Sequence, residues 1–161
     1  MSVKTEQFKD IMSKFATGVT VVTTAVDGQH HGLTVSAFCS VSLSPPLILV
    51  CIEKTAQAHE RMLQAEKFVV NFLAADQKAI SEVFADPRAT SSQRFQQIEM
   101  ETRESDIPVI AGSLGFIECR KQAAYDGGDH TIFTGEVIDL RLSGKRHPLL
   151  YYDRAYHHLA E

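Results

Sequence analysis

Cysteine is scarce and odd in number: Cys39, Cys51 and Cys119 lie in apolar contexts, and no C-x-x-C pair occurs. That pattern gives no disulfide framework and predicts a reduced, cytoplasmic setting, with the thiols as small buried hydrophobes. Basic residues are also too few for a nucleic-acid footprint, since the formal net charge is −4. No apolar run approaches the roughly 20 residues that cross a bilayer, the longest being Leu47 to Ile52. A signal-peptide core is excluded because Lys4, Glu6, Lys9, Asp10 and Lys14 interrupt the N-terminus. A soluble protein is therefore expected. G-x-S-x-G and G-x-G-x-x-G are both missing, which removes the hydrolase elbow and the dinucleotide-binding fingerprint. The seven histidines, among them His30-His31 and His157-His158, have no acidic or Cys neighbours at zinc-site spacing, so no metal is expected.

What is present fits one domain over residues 1–161, with 44% hydrophobic and 22% charged residues around a single core. Phe8, Ile11, Met12 and Phe15 recur at helical spacing, predicting an amphipathic helix ended by Gly18, with its stripe in core or dimer packing. Val19 to Val26 is rich in Val and Thr, and Asp27-Gly28 predicts a hairpin turn. Leu47 to Ile52 reads as a buried central strand, Thr55 as the N-cap of a helix through about Ala65, and Phe68 to Leu73 as another strand. A helix follows over Asp76 to Phe84. Residues 86–106 are polar without a clear period, predicting a long functional or mobile loop. Leu114 to Tyr125 and Thr131 to Leu142 predict a hairpin about Asp126-Gly127-Gly128-Asp129, and a short strand near Leu149 to Tyr152 closes the chain. The whole is mainly β, a β-rich α+β barrel with peripheral helices.

Thr34 to Leu43 alternates between two kinds of side chain and stops at Ser44-Pro45-Pro46. One face, Val35, Ala37, Cys39, Val41 and Leu43, is suited to a core. The other carries Thr34, Ser36, Phe38, Ser40 and Ser42, small hydroxyls around one ring, where a solvated face would show Lys, Glu and Arg. Short hydroxyls leave room and supply both donors and acceptors. A flat ligand with polar edges suits such a surface.

Phe15-Ala-Thr-Gly-Val-Thr-Val-Val-Thr23, Gly32-Leu-Thr-Val-Ser-Ala-Phe38, Ser40-Val-Ser-Leu-Ser-Pro-Pro-Leu47, Gly128-Asp-His130 and Gly135-Glu-Val137 resemble blocks of the short-chain flavin reductase family, in order and spacing over residues 8–156. The resemblance implies an FMN-binding split barrel, a homodimer, in which NADH or NADPH reduces FMN or FAD. It further implies that reduced flavin passes by diffusion to a separate monooxygenase component. Flavin contacts are implied at Thr34, Val35, Ser36, Ala37, Ser40, Val41 and Ile52, and phosphate binding at Lys54 and Thr55, where a helix N-terminus would help. His130 is implied to touch nicotinamide and flavin, where it can donate a hydrogen bond or shift charge. Nicotinamide contacts are implied at Tyr152, Arg154 and Tyr156. Lacking a fingerprint loop, the chain would bind nicotinamide against the flavin itself, and the cofactors would carry the hydride chemistry.

The chain departs from the family at Glu53-Lys54-Thr55-Ala56, where an acid stands beside the implied phosphate position, and at Asp153 and Ala155 in the C-terminal block. Other functions open to the same fold are a non-enzymatic flavin- or haem-binding barrel and a flavin-dependent ferric reductase.

Overall fold

Hairpin chemistry and apolar alternation build this molecule around one large antiparallel sheet. The computed structural model describes residues 3–101, 103–145 and 147–159. In chain order the elements are α1 (Thr5–Ser13), β1 (Thr17–Gly18), β2 (Thr20–Val26), β3 (Gln29–Val35), β4 (Phe38–Leu43), β5 (Pro46–Glu53), α2 (His59–Gln64), β6 (Lys67–Phe72), a 3-10 turn (Ala75–Gln77), α3 (Lys78–Ala85), α4 (Ser91–Gln96), β7 (Met100–Glu101), β8 (Val109–Ile110), β9 (Gly115–Gly127), β10 (His130–Leu142), β11 (Leu150–Tyr152) and β12 (Ala155–His157). Seven strands hydrogen-bond in the order β3-β2-β6-β9-β10-β5-β4. The end strands β3 and β4 are consecutive in the chain but do not pair, so the barrel is split along a seam between them. None of the described helices is long and apolar enough to cross a membrane.

The β2–β3 hairpin forms where expected, with Asp27 and Gly28 at φ 52° and 70°, the left-handed pair that a two-residue turn matching strand twist requires. The long β9–β10 hairpin likewise turns at Gly128, φ 80°. Val22, Val50, Phe68, Val70, Cys119 and Phe133 fill the barrel core. A second cluster, including Val21, Leu73, Phe84, Phe95 and Ile110, packs the helices onto it. Asn71 is buried between them, donating to Val21 O (3.0 Å) and accepting from the Ile110 N–H (2.9 Å). Buried polar groups must be satisfied in this way, so Asn71 fixes how β8 meets the barrel.

Several local expectations are corrected. The Thr34–Leu43 segment is two strands, because the chain bends at Ser36-Ala37 and the alternation restarts. Phe38 then turns inward, edge-on to Phe72 at 5.2 Å, while Ala37, Cys39, Val41 and Leu43 are exposed and only Val35 of the supposed core face is buried. An irregular register between Ser40 and Ser42 shifts the phase again. β5 lies between β10 and β4 but is buried on one face only, through Ile48, Val50 and Ile52. α1 ends at Ser13, ahead of Gly18, and buries none of its residues in this chain. Thr55 lies in a turn, and α2 begins later, at His59, with Ala58 as its N-cap. Residues 86–106 contain α4, started by a capping box in which the Gln93 N–H donates to Thr90 Oγ1 (3.3 Å) and the Thr90 N–H to Gln93 Oε1 (2.8 Å). The C-terminus adds β12, which the sequence pattern did not predict, to β11.

Candidate functional site

The seam widens into a cleft of about 540 Å³, within the range of small-molecule sites. Its first lip is the end of β3 and the bend after it, presenting Thr34, Val35, Ser36 and Ala37. Opposite stand Cys51, Ile52 and Glu53 at the end of β5, followed by the turn carrying Thr55 to Ala58. Phe84 and Ala85 of α3, Pro87 after it and Arg94 of α4 make the outer wall, and His130 stands at the mouth. Gln57 Nε2 donates to Pro87 O at 2.8 Å, strapping the β5–α2 turn to that wall.

Strand register explains why these groups meet. His130 is the first residue of β10, paired with Gly127 on one side and Glu53 on the other. The tight turn at Gly128 therefore fixes a histidine beside the last residue of β5. His130 Nδ1 lies 2.7 Å from Asp129 Oδ1, and this contact holds the Asp129 carboxyl below the usual aspartate range. Behind the lip, Thr34 Oγ1 donates to Ser81 O (2.6 Å), and Ser81 Oγ and Tyr156 OH lie 2.8 Å apart. The Thr34 proton is thus committed to α3, leaving its oxygen as an acceptor, whereas Ser36 is exposed at the bend.

Of the residues expected at a flavin site, Thr34, Val35, Ser36, Ala37, Ile52, Thr55 and His130 line this single cleft. Ser40 and Val41 lie farther along β4, outside the lining. Lys54 borders the cleft through its backbone neighbours, but its Nζ is 2.5 Å from Asp126 Oδ1, which holds the Asp126 carboxyl low. Tyr152, Arg154 and Tyr156 sit on the β11–β12 hairpin, where Arg154 Nη2 bonds Asp10 of α1 at 2.5 Å and Lys14 bonds Asp153. Within one chain that hairpin packs on α1 and contributes none of the cleft's lining.

Arg94, Gln57, Phe84 and Pro87 were not anticipated. Arg94 is only 4% exposed, donating from Nη1 to Gly32 O (2.8 Å) and from Nη2 to Asp86 O (2.7 Å). It belonged to a stretch without periodicity, although the Thr90-Ser-Ser-Gln93 capping box just before it was a readable helix start.

The cleft suits a flat, anionic, polar-edged molecule. Leu33, Ala37 and Ala56 offer apolar surface, Ser36 and Thr55 offer hydroxyls, and the buried Arg94 keeps an Nε–H without a hydrogen-bond partner. These donors match a nucleotide-like ring system carrying phosphate.

Comparison with known proteins agrees over nearly the whole chain. An FMN reductase (NADH) of Agrobacterium fabrum is 40% identical over 131 residues, covering 81% of this chain and 73% of the relative. The reductase component of a 4-nitrophenol 4-monooxygenase/4-nitrocatechol 2-monooxygenase from Rhodococcus opacus is 34% identical over 152 residues, covering 94% of this chain and 80% of the relative. Among solved structures, the NADH:FAD oxidoreductase of Streptomyces globisporus, in complex with NAD and FAD fragments, superposes with a TM-score of 0.91 at 36% identity. That superposition covers 99% of this chain and 97% of that one. Residues 12–160 match the flavin reductase like domain, and with the split barrel and its seam cleft this chain belongs to that family.

Proposed function

We propose that this chain is an NAD(P)H:flavin oxidoreductase that reduces FMN or FAD in the seam cleft and releases the reduced flavin to a separate monooxygenase component. The observation that carries the proposal is the convergence of Thr34–Ala37, Ile52, Thr55 and His130 on one cleft of nucleotide size in a chain of this family. Bound flavin supplies the two-electron acceptor for hydride from the nicotinamide, so the protein needs no nucleophile of its own. Leu33, Ala37 and Ala56 give the ring an apolar bed, and the Ser36 hydroxyl with the bend's backbone N–H groups faces its polar edge. His130, braced by Asp129, stands where it can donate a hydrogen bond at the mouth, and the Gln57–Pro87 strap keeps the outer wall in place.

The same reading extends to assembly and place. The entire chain acts as one catalytic domain, working in the cytoplasm and passing flavin by diffusion. Phe8, Ile11 and Met12 on α1, with Val41 and Leu43 on β4, are exposed apolar side chains that a second copy would cover in a homodimer. Tyr152, Arg154 and Tyr156 then act at nicotinamide only as part of that dimer.

Purified protein mixed with NADH or NADPH and added FMN or FAD is expected to consume nicotinamide absorbance faster than flavin alone. No excess rate with any pairing refutes the proposal. His130→Ala is expected to lower turnover by about 10-fold or more, the usual scale for a lost proton-donating group, while changing flavin affinity less. An unchanged rate removes His130 from the chemistry.

A further inference from the structure

The cleft is unevenly charged, and one bond ties its two sides together. Glu53 and Asp129 are exposed carboxylates beside His130 at the mouth. On the outer wall, Arg94 is the only Lys or Arg among the described residues of the lining. From the side of Glu53 to the side of Arg94, Gln57 Nε2 donates to Pro87 O at 2.8 Å. Among the described residues no other hydrogen bond joins the turn at 55–58 to the wall made by α3, α4 and the residues between them.

The two ends of this strap differ in stiffness. On the wall side, Asp86 O accepts from Arg94 Nη2 (2.7 Å), and the Asp86 carboxylate accepts from the Arg88 backbone N–H (2.9 Å), Nε (3.0 Å) and Nη2 (3.0 Å). Pro87 stands between these two anchored residues with its own φ fixed by the ring. Its carbonyl is therefore held in direction. On the other side, Gln57 is an exposed residue reaching across with a side chain of three rotatable bonds. Swinging that side chain aside opens the end of the cleft without rebuilding either wall. The loss is one neutral hydrogen bond, a factor of about 2–10 in an equilibrium constant.

FMN ends in a phosphate, whereas FAD continues from that phosphate through a second one into an adenosine of its own. Carboxylates at the mouth repel such a tail and the outer wall attracts it. The tail is thereby brought beside Pro87, the residue after the carbonyl that Arg94 holds. A mononucleotide can finish there with the strap in place, but the adenosine half of a dinucleotide must pass it. We propose that Gln57 is a specificity-determining residue: its bond to Pro87 O closes the cleft behind FMN, and FAD binds only with that bond open. The inference rests on the flavin reading above and deepens it by giving the cleft a preference between the two flavins.

The test is the ratio of the FAD to the FMN dissociation constant, measured by titration calorimetry on the full-length wild type, Gln57→Ala and Gln57→Met. Taking a ratio cancels any general loosening of the wall, which both flavins share. Methionine keeps the length and bulk of glutamine but has no N–H to donate. In both variants the ratio should fall by about 2–10-fold, the worth of the lost hydrogen bond. A ratio that stays the same or rises overturns the role of Gln57. A fall in Gln57→Ala alone assigns the effect to bulk and overturns the role of the bond. Failure of the wild type to bind either flavin instead overturns the flavin reading itself. Crystal structures of the wild type with each flavin give a test independent of variants. The proposal expects Gln57 Nε2 on Pro87 O with FMN and displaced from it with FAD. A bond kept in both complexes, or broken in both, refutes it.

Discussion

Adding one methyl group at Gly32 tests how tightly the cleft wall is packed against the barrel. A Cβ there would lie 2.9 Å from Phe84 Cε1, 3.2 Å from Phe84 Cδ1 and 3.1 Å from Val22 O. Carbon atoms normally rest about 3.5–4.0 Å apart, so the Phe84 ring must retreat by roughly 0.6–1 Å. Val22 O cannot yield easily, because β2 is paired with β3 and β6 on its two sides. Phe84 is itself buried and held edge-on to Phe95 at 5.2 Å, leaving the cleft as its direction of escape. Overpacking of this kind costs about 1–3 kcal/mol. For a chain of this size that lowers Tm by about 2–4 °C per kcal/mol. Urea unfolding of Gly32→Ala at fixed protein concentration should show the loss with an unchanged m-value. FMN affinity should fall as well, because the intruding ring borders the site and the disturbed Gly32 carbonyl holds Arg94 of its wall. Phe84→Leu makes space, so the double variant should be more stable than the sum of the single losses by about 0.5 kcal/mol or more. A Gly32→Ala loss below about 0.5 kcal/mol, or strict additivity with Phe84→Leu, would refute this account of the wall.

Further outcomes follow from other parts of the structure. Burial pushes the Cys119 thiol up to about 12, so it should resist thiol reagents at pH 8 until the protein unfolds; rapid labelling of native Cys119 would contradict its placement. The Asp129 carboxyl is held low by His130, so any stability it contributes is present above its unfolded pKa and disappears as pH falls through the folded value. In His130→Ala its midpoint, followed by carboxyl-carbon NMR, should rise towards the ordinary aspartate value of about 3.9, and no movement would dismiss the coupling. Leu43→Glu, at a side chain 93% exposed in the single chain, should convert the proposed homodimer to monomer in light scattering while leaving the monomer fold intact. A dimer of unchanged strength would place the interface elsewhere.

The hairpins were legible because turn chemistry is local: Asp27-Gly28 and Gly128 announce backbone conformations that few other residues adopt easily. The cleft was legible in part for a different reason, since Thr34–Ala37 and His130 stand in family blocks that survive in order. The bend at Ser36-Ala37 was hidden because an alternating sequence continues through it. Its effect, turning Phe38 inward and Leu43 outward, depends on where β5 lies. Arg94 was missed because its role comes from carbonyls at Gly32 and Asp86, and nothing in the neighbouring sequence foretells that meeting. The exposed stripe of α1 shows a further limit: helical spacing identifies an apolar face without saying which surface covers it.

The site's position at the sheet's end also bears on how far occupancy governs folding. A ligand lying through the centre of the barrel would be a structural member, and its departure would leave a void. Here the seam separates β3 from β4, while Val22, Val50, Phe68, Val70 and Phe133 close on one another without any guest. With free ligand equal to its Kd, mass action adds only about 0.4 kcal/mol to stability. A barrel that releases reduced flavin, as proposed above, must stand without it, and this placement makes that independence thermodynamically possible.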